Sequence, residues 1–300
     1  MASVLDRLPH GARVAVIRLR SLGDCVLTTP ALALLKEYRP DLNIAVAVED
    51  RFRRVFEQSP DVMQTLADGV CTLTPFRPHL TINFHGGTRS QWITCFSLAG
   101  LRAGFAHHTG SWIYNVPVPR AQQVFGQERI VHTAEHMASA MFYLGVPCKE
   151  IPQAKLFCKE LPARNPYAIF HPMASIASKA WPAERFLQIA KRLVGLDPVF
   201  IGGPGEDLSA FSAFECHSGA PLDTIFSLMK SASLFVGNDS GPAHVAAAFG
   251  VPSLVLFGPS NPCIWAPWRT KAEVIHSPNG LAQISVERVW CAVEQMRNSN

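Results

Sequence analysis

Short runs rich in valine, isoleucine, leucine and alanine alternate along the chain with stretches in which apolar residues recur at three- and four-residue spacing. That alternation predicts parallel sheets built from strand–helix–strand units. Residues 13–19 read as the first strand and residues 21–24 as its exit loop, while Leu27, Ala31, Leu34, Leu35 and Tyr38 mark one face of a helix ending near Pro40. Further strands are predicted at 43–48, 80–84, 102–105, 167–171, 198–201, 234–237 and 253–257. Helices are predicted at 90–101, 130–144, 222–232, 242–249 and 286–296, with one more opened by Pro182 and presenting Phe186, Ile189, Ala190, Leu193 and Val194 on one face.

Gly145-Val146-Pro147 stops the 130–144 helix, and Pro147, Pro152, Pro162 and Pro166 then mark a linker. The pattern predicts an N-terminal domain over 1–155, a second over 156–285 and a closing helix over 286–300 that packs back toward the first. A chain of 300 residues is long enough for two cores.

Composition raises one question. Hydrophobic residues make up 48% of the chain and charged residues 17%, against roughly 25% charged in an average protein, a balance compatible with a membrane protein. The longest stretch without Asp, Glu, Lys or Arg, 240–268, is broken by Pro242, Pro252, Pro259, Pro262 and Pro267. No apolar helix of ~20 residues fits there. The opening residues carry Asp6, Arg7, Pro9 and Gly11 rather than an apolar signal core, so the expected location is the cytoplasm. Eight cysteines without a C-x-x-C pair are expected to be reduced and mostly buried, and not to hold zinc.

The formal charge of +4 is unevenly laid out. Between residues 69 and 127 there is no Asp or Glu, while Arg77, Arg89, Arg102, Arg120 and His79, His85, His107 and His108 fall within it. An anionic partner fits this stretch, and so do ordinary solvated arginines. A charge of +4 without a recognised binding module does not predict a nucleic-acid partner.

The strongest chemical signal is Phe235-Val236-Gly237-Asn238-Asp239-Ser240-Gly241-Pro242-Ala243-His244. A strand enters a turn of small residues, and proline opens a helix whose first amides lack internal partners, an arrangement suited to phosphate. The competing reading is that Asp239 or Ser240 simply caps that helix. A second glycine–proline turn, Phe257-Gly258-Pro259, follows the next strand. Lys179, in the polar loop Ser175-Ile176-Ala177-Ser178-Lys179-Ala180-Trp181-Pro182, can meet a diphosphate as a point charge or stand solvated. Asp24, in the turn after the first strand, reads as a helix cap. Arg89, after Gly86-Gly87, can offer a bidentate fork to an anion, and His132, Glu135 and His136, at i, i+3 and i+4, have a spacing that can hold a metal.

In order and spacing these segments resemble glycosyltransferase family 9, the ADP-heptose:lipopolysaccharide heptosyltransferases and their relatives. The resemblance rests on 237–244 with 257–259, on Leu22-Gly23-Asp24-x-x-Leu27-Thr28-Thr29-Pro30, on the Lys-x-Trp-Pro run within 171–182, and on His132-x-x-Glu135. It implies the GT-B fold, α/β with two Rossmann-like doubly wound domains facing across a cleft, the second binding the donor. It implies inverting transfer of a sugar, heptose from ADP-heptose, to a lipopolysaccharide-core or related saccharide acceptor. Asp24 becomes the general base, and Ser175, Lys179, Glu206, Asp239, Ser240, Gly241 and His244 the donor-binding set, with Glu206 near the ribose. Arg89 and His132 fall on the acceptor side, the metal reading of His132 recedes, and with no Asp-x-Asp to hold a divalent metal against a sugar diphosphate, no protein-bound metal or other cofactor is expected. Met173 and Ala174 stand where the family commonly has glycine. The implied partners are a nucleotide sugar and an anionic glycolipid or saccharide, met by a monomer that visits the cytoplasmic face of the inner membrane transiently. A non-catalytic nucleotide-sugar-binding protein and a nucleotide-sugar epimerase are the alternative readings on the same fold.

Overall fold

The structure, a computed structural model, describes residues 3–160, 162 and 164–298. The predicted linker and closing segment also include residues 161, 163, 299 and 300, which lie outside the described residues. The chain forms two compact units, Met1–Leu156 and Phe157–Asn300.

The first unit runs β1 (Arg13–Ile17), α1 (Leu22–Tyr38), β2 (Asn43–Ala47), β3 (Gln64–Leu66), β4 (Leu80–Asn83), α2 (Thr88–Phe96), β5 (Leu101–Phe105), β6 (Val116–Val118), α3 (Ala121–Phe125) and α4 (Thr133–Leu144). Its strands form one parallel sheet in the order β3-β2-β1-β4-β5-β6. The second unit runs β7 (Tyr167–His171), α5 (Ala183–Arg192), β8 (Asp197–Gly202), β9 (Glu215–Ser218), α6 (Leu222–Lys230), β10 (Leu234–Asn238), α7 (Gly241–Ala248), β11 (Ser253–Phe257), α8 (Pro262–Trp265), β12 (Ala272–His276) and α9 (Val286–Asn298). Its parallel sheet reads β12-β11-β10-β7-β8-β9. In each unit the strand order reverses beside the unit's first strand, between β1 and β4 in one and between β7 and β10 in the other. Loops leaving the carboxyl ends of such strands are where doubly wound sheets bind ligands.

The central strands are buried along their whole length, as parallel strands covered on both faces must be: every residue of β7, β10 and β11 is buried. Ala168, Phe170, Phe200, Val236 and Leu254 join Phe186, Ile189 and Trp181 in the second core. The closing helix α9, expected to turn toward the first unit, adds Val289, Val293 and Met296 to this same core.

Several local expectations are corrected. The exit loop of β1 comes earlier than expected, over residues 18–21, because β1 ends at Ile17 and α1 begins at Leu22 with Ser21 at its N-cap, taking Asp24 into its first turn. The helix expected over 90–101 ends at Phe96, and Leu98 two residues later adopts φ +57°, which no helix continues. The eight thiols are free, but only Cys25 is buried; Cys71, Cys95, Cys148, Cys263 and Cys291 are exposed. Those five lie in loops or on outward helix and turn positions where nothing packs over them.

Candidate active site

In the second unit the reversal lies between β7 and β10, where Gly237 pairs with His171. A Cβ at Gly237 would stand 3.0 Å from His171 O and 2.7 Å from the Phe235 ring, so the two strands meet here only because position 237 has no side chain. Asn238, fully buried, uses its amide on the loop that follows β7: Oδ1 accepts from Trp181 N at 3.1 Å, and Nδ2 donates to Pro172 O at 2.8 Å. The Trp181 ring is buried beneath this loop, and its Nε1 donates to Ile284 O at 2.9 Å. Pro182 then starts α5 at the N-cap. The Lys-x-Trp-Pro run is thus an anchored loop that holds Lys179 at its crest.

Lys179 Nζ reaches Asp239 Oδ2 at 3.1 Å. Gly258 admits this turn, since a Cβ there would lie 3.0 Å from Ser178 O. Ser240 occupies the N-cap of α7, but its hydroxyl makes no capping bond; it donates to Asn238 O at 3.0 Å and lies 3.0 Å from His171 Nδ1. Neither side chain that the sequence offers as a cap is used as one. Gly241 and Pro242 open the helix, and His244 is buried within its first turn. Glu206 sits in the turn after β8, where Gly203 N donates to its Oε2 at 2.6 Å and His171 Nε2 stands 3.6 Å away. His171 and the Gly203 amide hold the Glu206 carboxyl below the usual carboxylate range. Lys179, Glu206, Asp239, Ser240, Gly241 and His244 therefore surround one sheet end, while Ser175 stands exposed on the loop before Lys179. This cluster combines a cation, a helix N-terminus without a side-chain cap and a carboxylate, the groups that suit a diphosphate and a vicinal diol.

In the first unit the corresponding reversal lies between β1 and β4. Arg18, just past β1 and buried, donates to Phe84 O at 3.0 Å and to Asp24 Oδ1 at 2.8 Å. The other Asp24 oxygen accepts from Ser21 N at 3.2 Å and Ser21 Oγ at 3.1 Å. Asp24 is thus the acidic residue of the helix entry, a place that favours negative charge, and it stays partly exposed with 22% of its side chain accessible. The Thr-Pro of the same motif is structural. Pro30 cannot donate to Val26 O, and Thr29 Oγ1 does so instead at 2.8 Å.

The same unit holds a group of imidazoles whose packing against one another sequence reading does not show. His136 stacks on Phe105 with ring centroids 3.9 Å apart, His108 packs edge-on against Phe105, and His107 lies tilted beside His136. Burial, with His107 and other positive neighbours adding to it, pushes His108 down to about 4, and burial likewise takes His136 to about 4. Burial and the Arg18 charge lower His85.

Arg89 does not present a vacant fork: its Nη2 pairs with Asp68 at 2.6 Å, a carboxylate one residue outside the acid-free stretch. His132 is the N-cap of α4, its Nδ1 accepting from Ala134 N at 3.1 Å, and Glu135 answers by accepting from His132 N at 2.9 Å while gripping Arg129. Among the described residues no group of three or more His, Cys, Asp or Glu side chains is placed to hold a metal ion. No helix among them is long and apolar enough to cross a membrane.

A protein-family model described as Glycosyltransferase family 9 (heptosyltransferase) matches residues 79–289. The chain is 25% identical to lipopolysaccharide heptosyltransferase 3 of Escherichia coli K12 over 93% of its own length and 96% of that protein's. Among solved structures it resembles a family 9 glycosyltransferase from Veillonella parvula, with a TM-score of 0.85 and 23% identity over 96% of this chain and 98% of that one. It also resembles the E. coli ADP-heptose lipopolysaccharide heptosyltransferase II, with a TM-score of 0.82 and 21% identity over 96% and 99% of the two chains. The fold is the GT-B fold, α/β with two Rossmann-like sheets.

Proposed function

Since the chain belongs to glycosyltransferase family 9, we propose that it is an inverting glycosyltransferase that moves heptose from ADP-heptose to an anionic lipopolysaccharide-core or related saccharide. The observation that carries this reading is the cluster at the β7–β10 reversal, where neither candidate capping side chain bonds an α7 amide. In this reading the diphosphate meets those amides, Lys179 and the hydroxyls of Ser175 and Ser240, with Gly241 allowing close approach and His244 backing the turn. Glu206 accepts from the ribose hydroxyls. These fixed groups take the place of a chelated cation, so the reaction proceeds without a protein-bound metal or cofactor.

Asp24 takes the proton of the acceptor hydroxyl as that oxygen attacks the anomeric carbon and the nucleoside diphosphate leaves. The Arg18 contact and the Ser21 bonds fix its orientation. Arg89 meets an acceptor anion by exchanging Asp68 for it, and His132 sets the start of α4 on the acceptor side. The lipid end of the acceptor brings a monomeric, cytoplasmic enzyme to the inner leaflet; the exposed Trp92, Leu98 and Trp112 in the acid-free stretch support that contact.

The test is a thermal-shift panel of ADP, UDP and GDP followed by transfer assays in EDTA. The expected outcome is stabilisation by ADP above the others and an inverted heptoside with a heptose-accepting core. Stabilisation without product under any acceptor would mean a binding protein. An isomerised sugar from donor alone, seen by NMR, would mean an epimerase.

A further inference from the structure

One buried imidazole lies between the two halves of the donor cluster. His171, 5% exposed, ends β7; its Nδ1 stands 3.0 Å from Ser240 Oγ, in the turn after β10, and its Nε2 3.6 Å from Glu206 Oε2, in the turn after β8. A ring at the end of one strand thus meets the exit loops of two others in the same sheet. Hydrogen counting limits what the ring does. At 3.6 Å the Nε2–Glu206 contact is at ion-pair rather than hydrogen-bond distance, and since a carboxylate only accepts, any hydrogen between them comes from Nε2. Ser240 Oγ also faces Asn238 O, which only accepts. The ring either donates from Nδ1 while the hydroxyl donates to Asn238 O, or it accepts the hydroxyl hydrogen itself. In both placements one ring orientation faces both loops.

We propose that His171 is a positioning residue that couples the phosphate-binding turn to the ribose-binding carboxylate, so that the site reads a nucleoside diphosphate as one unit rather than as a phosphate and a diol separately. The proposal rests on the donor reading above. It predicts that removing one loop's side chain weakens what the other contributes, through the ring and not through direct contact.

The experiment is a three-residue cycle on the full chain, with ADP affinity read by calorimetry and donor KM and kcat read in the transfer assay. Ser240→Ala and Glu206→Gln are combined in the presence of His171 and in its absence. With His171 present, the double variant should lose less affinity than the product of the two single losses, by about fivefold. With His171→Ala that discrepancy should vanish, and ADP affinity alone should fall about tenfold, appearing mainly in donor KM. His171→Asn, which keeps a nitrogen near Nδ1, and His171→Gln, which keeps one near Nε2, should each restore one link and not the coupling; they also serve if the alanine variant folds poorly. A purely structural histidine would lower the melting temperature and leave the Ser240 and Glu206 losses independent, which would overturn the proposal. Independent losses in a protein that binds ADP overturn the coupling alone, whereas a wild-type chain that does not bind ADP overturns the coupling and the donor reading together.

Discussion

Asn238 shows how much of a binding turn is spent on the polypeptide itself. Its amide joins β10 to both ends of the Lys179 loop, and Asn238→Ala leaves Trp181 N and Pro172 O without these partners in a buried place. The expected loss is about 3 kcal/mol of second-unit stability, read by urea unfolding, together with weaker ADP binding. The sequence presents the run 237–242 as a phosphate turn, but not that three consecutive side chains face three different neighbours, because that division depends on strands distant in sequence. Asp24 is the opposite case. Its place in a chemical motif is legible; its ion pair to Arg18 is not. Asp24→Asn should lower turnover by at least about a hundredfold while ADP affinity holds. Since it also loosens the entry to α1, the melting temperature must be measured beside it, and retained turnover would remove Asp24 from the role of base.

At the scale of elements, the eight interior strands are legible in the sequence and the four edge strands are not. β3, β6, β9 and β12 are the outermost strands of the two sheets. Edge strands are covered less completely and so need no continuous apolar run: β9 reads Glu-Cys-His-Ser, and β6 carries an exposed proline at its centre. The same logic explains why α9 is legible as a helix while its destination is not. Periodicity reveals that a face is apolar, not which core receives it. Val293→Ala, in a position with no solvent exposure, should destabilise the second unit by about 2 kcal/mol. Gly258→Ala tests a turn rather than a core: the new methyl must move the Ser178 carbonyl, so ADP affinity should fall while the unfolding midpoint changes little.

For the whole molecule, the repeated strand order puts one chemically rich sheet end in each unit, and the first carries a pH response of its own. His108 and His136 are held to about 4 by burial, below their ordinary 6.5. Between those values the unfolded chain binds more protons at these two rings than the folded one, so their contribution to stability falls as pH drops from about 6.5 toward 4 and is constant below that. His136→Phe, which preserves a ring against Phe105, should flatten that slope in urea midpoints measured across the interval. The acid-free run of the sequence draws attention to this unit for its arginines. The structure makes its neutral imidazoles the more distinctive feature, since burial of a histidine ring leaves no mark in composition.

Cys25 supplies an internal clock for the same region. It is the one buried thiol of the eight, it follows Asp24 in α1, its Sγ lies 3.7 Å from Arg18 O, and burial pushes it up to about 12. A thiol so placed reacts with an alkylating reagent only when the helix entry opens. With the other seven cysteines changed to serine, the labelling rate of Cys25 would time the opening of the α1 entry that holds Asp24, and an acceptor that settles there would slow the clock.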